Sequence, residues 1–245
     1  GTNNFKTVLV KSGTLALGSV DANRTALGTA HITLEGGTLQ MRDANSTGTV
    51  GPFVNTIDVP EGKTANWNLP KRWNFTNKLT GKGRININIP YVRSEFIGDW
   101  SAFEGTIAIT GSSGEFRINN SFGYAKATFN LGSLGNLYHL STGQTIRLGA
   151  LTGIAGSKLS GGSTHWIVGA NNADNLTFAG EISGTSSNLT KEGTGKRTLT
   201  DATLYTGGTD VAKGTLWIAN TTGSGTGTGA ITVRADARFG GTGIV

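Results

Sequence analysis

Apolar residues in this chain come in short groups, such as Val8-Leu9-Val10, Ile32-Thr33-Leu34, Ile85-Asn86-Ile87-Asn88-Ile89, Ile107-Ala108-Ile109 and Leu216-Trp217-Ile218. Each group is broken by Gly, Asn, Ser or Thr. That pattern predicts many short strands joined by turns, with neighbouring side chains on opposite faces. No window carries apolar residues at i, i+3, i+4 and i+7 over three or four turns, so an all-β chain without long helices is expected. The apolar runs are also far too short for a bilayer-spanning helix, and no membrane insertion by this segment is expected.

The groups recur. Gly-Thr-Leu stands at Gly13-Thr14-Leu15, Gly37-Thr38-Leu39 and Gly214-Thr215-Leu216, the first two 24 residues apart. A bulky apolar residue followed by Ser, Thr or Glu and then Gly stands at Leu79-Thr80-Gly81, Phe103-Glu104-Gly105, Leu151-Thr152-Gly153 and Ile182-Ser183-Gly184, at intervals of 24, 48 and 31. The aromatics Trp67, Tyr91, Phe116, Tyr138 and Trp166 follow at 24, 25, 22 and 28. A step of roughly two dozen residues describes a coil that adds one turn per repeat, here a single right-handed parallel β-helix of about ten rungs spanning residues 1–245. A β-sandwich also has short strands, but does not call for like residues at one interval.

Counting by twos from the aromatics assigns faces. Leu69, Ile118, Leu140 and Val168 share parity with theirs and are expected inside the coil; Gln40, Asn68, Arg117 and His139 are expected outside. Tyr91 fits less well, because the residue two positions on is Arg93.

Composition narrows the class. With 39 Gly but no every-third-residue period, and only 15% charged residues, the chain is neither collagen-like nor disordered. It has no cysteine, which removes disulfides, thiol catalysis and zinc-finger spacing together. Gly1-Thr2-Asn3-Asn4 has no basic region followed by an apolar one, and Phe239 to Ile244 reads as the entry to another rung. The chain therefore reads as a monomeric segment of a longer protein.

The stretch from Gly193 to Leu216 carries a more specific signal: Gly193, Gly195, Thr198-Leu199-Thr200, Tyr205-Thr206-Gly207-Gly208-Thr209, Val211 and Gly214-Thr215-Leu216. It resembles the passenger-associated strand repeat of bacterial autotransporter and surface proteins. It departs from that pattern at Arg197, where an apolar residue is usual, and at Thr203-Leu204, where Asn-Thr is usual. The resemblance implies a β-helical rung in a secreted or cell-surface bacterial protein and is silent about chemistry.

Catalytic constellations are sparse. Asp58 and Glu61 share one loop, Glu95 and Asp99 another, and Asp174 stands alone, so no carboxylate pair recurs at the rung interval. His31, His139 and His165 have no metal-ligand spacing, and no Gly-rich stretch leads from a strand into a helix; no cofactor or metal is expected.

Positive charge is more informative. The net charge is +6, and from Lys63 to Arg93 the chain holds Lys63, Lys71, Arg72, Lys78, Lys82, Arg84 and Arg93 with no acid after Glu61. Trp67, Trp73 and Tyr91 lie in the same stretch, and Gly98-Asp99-Trp100 follows about one rung later. Aromatic faces pack on sugar C–H groups while cations meet carboxylate or sulfate. Lys71, Arg72, Trp73, Arg93, Trp100, Arg117 and His139 are thus the expected ligand-binding residues of a non-catalytic module for an anionic polysaccharide. The competing expectations are a polysaccharide lyase, with Arg72, Arg93 or a lysine removing a proton from a uronate, and a structural stalk or adhesin in which Trp73 and Trp100 plug the coil. Nucleic acid is not an expected partner, since no recognition motif accompanies the charge.

Overall fold

A computed structural model of the chain describes residues 5–17, 27–41, 50–111, 114–119 and 124–245. Among these residues there are 28 short strands and no helix. Every pairing is parallel and joins a strand to the one a turn later: Arg84 lies beside Thr106, Thr106 beside Thr128, and Thr128 beside Ala150. Parallel strands need a connection long enough to return the chain to its starting direction. Here the other two sides of the turn supply that connection, and the chain forms a β-solenoid of about ten turns.

A complete turn adds one strand to each of three faces, as in Ile57–Val59, Thr64–Asn68 and Trp73–Phe75, then Leu79–Gly81, Arg84–Asn88 and Arg93–Phe96, while the turns through Phe103 and Tyr124 have described strands on the second and third faces alone. The first face stacks four strands from Thr7–Val10 to Leu79–Gly81, and in later turns five from Thr145–Leu148 to Ile231–Val233. The second stacks seven from Thr14–Leu17 to Ala150–Thr152, and the Gly153–Phe178 bridge carries it on to four more, ending at Ala237–Gly241. The third stacks eight from Val50–Phe53 to Leu204–Tyr205.

Alternation within strands places columns of apolar residues inside each face. On the second face Ala65, Ile85, Ile107, Phe129 and Leu151 lie in register. On the third, Phe75, Phe96, Ile118, His139 and Gly161 do the same. The Phe75 and Phe96 rings stack at 5.0 Å, Phe96 and Phe116 at 3.8 Å, and Trp67 meets Phe53, Phe75, Phe96 and Trp100. Fully burying such a side chain contributes on the order of 2–3 kcal/mol, so this column is the main support of the middle turns.

Outward positions of the second face carry a ladder of neutral amides. Asn68 Nδ2 donates to Gln40 Oε1 at 3.1 Å and Asn86 Nδ2 donates to Asn66 Oδ1 at 3.1 Å, joining successive turns outside the core. At the corner ending Leu79–Gly81, the turns approach so closely that a Cβ on Gly81 would lie 2.1 Å from the Val59 carbonyl oxygen, at φ +101°. Only glycine fits there.

Two sequence expectations need correction. The aromatics spaced by two dozen residues do not form one ladder: Trp67 is on the second face, Phe116 on the third and Trp166 on the first, while Tyr91 lies in a turn. Trp67, Phe116 and Trp166 are buried with Leu69, Ile118 and Val168, as parity requires. In the next turn the assignment inverts, so His139 is fully buried, Tyr138 is partly exposed and Leu140 faces solvent. The cause is an odd step: Phe116 pairs with Leu137, 21 residues on, and an odd step moves each position counted from the aromatics to the other face.

Candidate binding surface

The corner between the second and third faces is built twice on one plan. Asn68 and Asn88 are in register, and each is followed by an apolar residue and then proline: Leu69-Pro70-Lys71-Arg72 in one turn, Ile89-Pro90-Tyr91-Val92 in the next. Proline fixes φ and limits the motion of each corner. The result sets Lys71 Nζ 4.9 Å from the centre of the Tyr91 ring and the Arg72 guanidinium carbon 5.9 Å from it, within cation–π range. Lys71, Arg72, Tyr91 and Arg93 are all partly exposed. No ion pair among the described residues engages Lys71, Arg72 or Arg93.

Arg117 lies further along the third face. It is in register with Glu95 on one side and Tyr138 on the other; its guanidinium lies 5.2 Å from the Tyr138 ring centre, and its Nε donates to Glu115 Oε2 at 2.6 Å. Glu115 is itself in register with Arg93. The outer column of this face therefore alternates in sign instead of continuing the positive charge of the corner.

The other three expected ligand-binding residues are interior. Trp73 starts the strand Trp73–Phe75 at the same parity as Phe75, and its ring lies near-parallel to that phenyl at 6.0 Å. Trp100 is fully buried among Trp67, Phe96, Phe116 and Tyr124, with its indole N–H donating to the Asn77 carbonyl at 3.1 Å. Both indoles plug the coil, so neither offers a face to an external ligand. His139, buried in the inward column, shares a 2.8 Å hydrogen bond with Thr164 Oγ1 and meets Trp166 edge-on. Burial pushes its pKa below the ordinary histidine value, opposed in part by the Gln144 side chain, which favours the protonated ring.

The basic stretch from Lys63 to Arg93 is also dispersed by the winding. Arg84 belongs to the second face, where Nε donates to Asn86 Oδ1 at 2.9 Å. Lys82 pairs with Glu104, whose carboxyl pKa is lowered by Lys126 and Lys82 together. Of this stretch, Lys71 and Arg72 gather around an aromatic ring, and Arg93 begins the third-face strand two residues after it.

A further cation–aromatic pair escaped the sequence reading. Lys196 Nζ lies 4.8 Å from the ring centre of Trp217, which points outward between buried Leu216 and Ile218 above a shallow depression formed with Thr215, Arg238 and Phe239. The alternation of Leu216, Trp217 and Ile218 was the signal that places this indole outside.

The acids are engaged in local structure. Asp58 accepts from Thr80 Oγ1 at 2.7 Å, Asp99 from the Ser101 N–H at 2.9 Å and Asp174 from the Lys196 N–H at 2.6 Å. The Ser101 hydrogen bonds hold the Asp99 carboxyl below the usual carboxylate range, and the backbone N–H groups of Lys196 and Asn175 do the same for Asp174. Among the described residues no three His, Asp or Glu side chains gather in a metal-binding group. No protein-family model matches the chain, and no curated protein matches it in sequence.

Proposed function

We propose that this chain is a non-catalytic segment of a secreted or cell-surface bacterial protein that holds an anionic polysaccharide at the corner formed by Lys71, Arg72, Tyr91 and Arg93. One observation carries the reading: two cationic groups set 4.9 and 5.9 Å from a partly exposed tyrosine ring on a proline-stiffened corner. The ring supplies a packing surface for sugar C–H groups, and the cations meet carboxylate or sulfate. Tyr138 with Arg117 repeats the cation–ring pairing along the third face, with Glu115 engaging the Arg117 guanidinium. The resemblance of residues 193–216 to the autotransporter passenger repeat supports the surface assignment.

Affinity electrophoresis in gels containing pectate, alginate, a sulfated glycan or a neutral glucan tests this reading. Retardation is expected only in the anionic gels, and it weakens about tenfold in Lys71→Ala/Arg72→Ala, the loss of roughly 1.4 kcal/mol. Unretarded wild-type protein, or variants retarded as strongly as wild type, would remove the proposal.

A structural stalk is the second reading. It is favoured by the Lys82–Glu104 and Lys126–Glu104 ion pairs and the Asn68–Gln40 amide bond, which tie successive turns together on the outside of the coil. Under it, the corner variants change no binding, and Glu104→Gln lowers stability instead.

A further inference from the structure

The turn from Asn188 to Leu199 places two cations where the neighbouring turns are apolar. Lys191 is in register with Val168 and Val211, and Arg197 with Leu176 and Leu216. Both are interior, at 2% and 4% exposure. No acidic side chain is among the buried residues of the described chain. Arg197 is also one of the two places where the sequence departs from the repeat it resembles.

The two cations differ in how they are held. Lys191 Nζ donates to the carbonyls of Glu192, Gly193 and Lys213 at 2.8–2.9 Å, using all three protons. Burial pushes its pKa down to about 8, with the Arg197 charge adding to the shift, so the ammonium persists at neutral pH. Arg197 has one long contact, Nη1 to the Lys196 carbonyl at 3.4 Å, while its buried Nε and Nη2 have no hydrogen-bond partner in the protein. A guanidinium does not escape by losing its proton. Leaving one desolvated and unpaired is among the costliest arrangements in a folded chain.

No acid forms an ion pair with either cation among the described residues, although Glu192 Oε1 is itself buried without a hydrogen-bond partner. Asp174 is exposed and bound to the Lys196 N–H, and Glu192 Oε2 pairs with Arg147 Nη2 at 2.8 Å. Arg197 and Lys191 instead line a common cavity whose other walls include Leu151, Val168, Phe178 and Leu189. Its free space suits about one water-sized species, too little for sulfate or phosphate.

We propose that this cavity is a binding site for a small monovalent anion of halide size, held by the Arg197 Nε and Nη2 protons and balanced by the Lys191 ammonium. The anion satisfies two buried donors and neutralises part of the interior charge. It binds the folded state only, so it stabilises the chain by mass action.

Thermal unfolding of the whole chain at constant ionic strength, with sodium gluconate replaced stepwise by sodium chloride or bromide, tests the site. A saturable rise in Tm of a few degrees, about what a 1 kcal/mol linkage gives, is expected in both halides. Arg197→Met, an apolar replacement of similar length, abolishes the halide dependence. Chloride-35 NMR provides a second readout on the wild type alone: line broadening that bromide displaces supports the site. A Tm independent of halide together with an unbroadened chloride line overturns it, as does an Arg197→Met protein that retains the full halide response.

Discussion

The turns between Phe53 and Phe129 and those between Glu181 and Ile218 share one backbone plan and fill it differently. In the first region Phe53, Trp67, Phe75, Phe96, Trp100, Phe116, Tyr124 and Phe129 form a continuous run of ring contacts through the coil. In the second the interior holds Leu189, Leu199, Val211, Leu216 and Ile218 with one buried ring, Tyr205, beside Lys191, Arg197, Thr203 and Thr209. Both regions keep parallel register from turn to turn. The difference shows that the winding comes from backbone pairing and alternation, whereas the contents of the coil set how much each turn contributes to stability. It also separates roles: the aromatic region presents the cationic corner outward, and the second region turns two of its cations, Lys191 and Arg197, inward.

The largest effect should come from breaking the aromatic run. Phe96→Ala removes a fully buried ring in contact with Phe75, Trp100 and Phe116, and is expected to cost about 3–5 kcal/mol in denaturant unfolding. A loss below about 1 kcal/mol would show that the ring stack is not what supports these turns.

Close approach between turns should rank next. At Gly81 a methyl group would strike the Val59 carbonyl at 2.1 Å, whereas at Gly62, also at positive φ (+73°), nothing lies within 4 Å. Both Gly81→Ala and Gly62→Ala bear a backbone cost of about 1–2 kcal/mol, and Gly81→Ala should lose a further 1–3 kcal/mol or so to the overlap. Equal losses in the two variants would refute the close contact between turns.

The smallest expected effect is a pH dependence at the end of the aromatic column. The pKa of His139 is lowered in the folded chain, so below the unfolded value of 6.5 the unfolded state binds the extra proton first. Stability is therefore retained above about pH 6.5 and falls as the pH drops through the window down to the folded pKa. His139→Leu should flatten that slope in melts recorded between pH 7 and about pH 5. An unchanged slope would assign the acid sensitivity to other groups.

Parts of this arrangement were legible from residue order. The Gly-Thr-Leu repeat predicted that Thr14 and Leu15 lie beside Thr38 and Leu39, and they do. The other repeated phrase was misleading by two positions, since Gly81 pairs with Phe103 and not with Gly105. Of the expected binding residues, Lys71 and Arg72 meet over Tyr91 at one corner, and Arg93 and Arg117 lie on the outer side of the third face. Trp73 and Trp100 could not be placed from sequence, because an indole next to cations suits a binding loop and a core plug equally well. The strand start at Trp73 and the Asn77 carbonyl waiting for the Trp100 N–H decided the matter.

Residue order alone determined that this chain is all-β, that it winds in parallel turns, and that apolar residues at alternate positions line its interior. Short groups with period two and a recurring interval permit little else. Tertiary structure decided the length of each step, from 19 residues between Lys196 and Thr215 to 28 between Thr38 and Asn66, and hence which side chains meet. The physical reason is the two-residue period of a strand: one residue more or less in a corner exchanges inside for outside along the strand that follows. That exchange buried His139 and exposed Tyr138 beside Arg117.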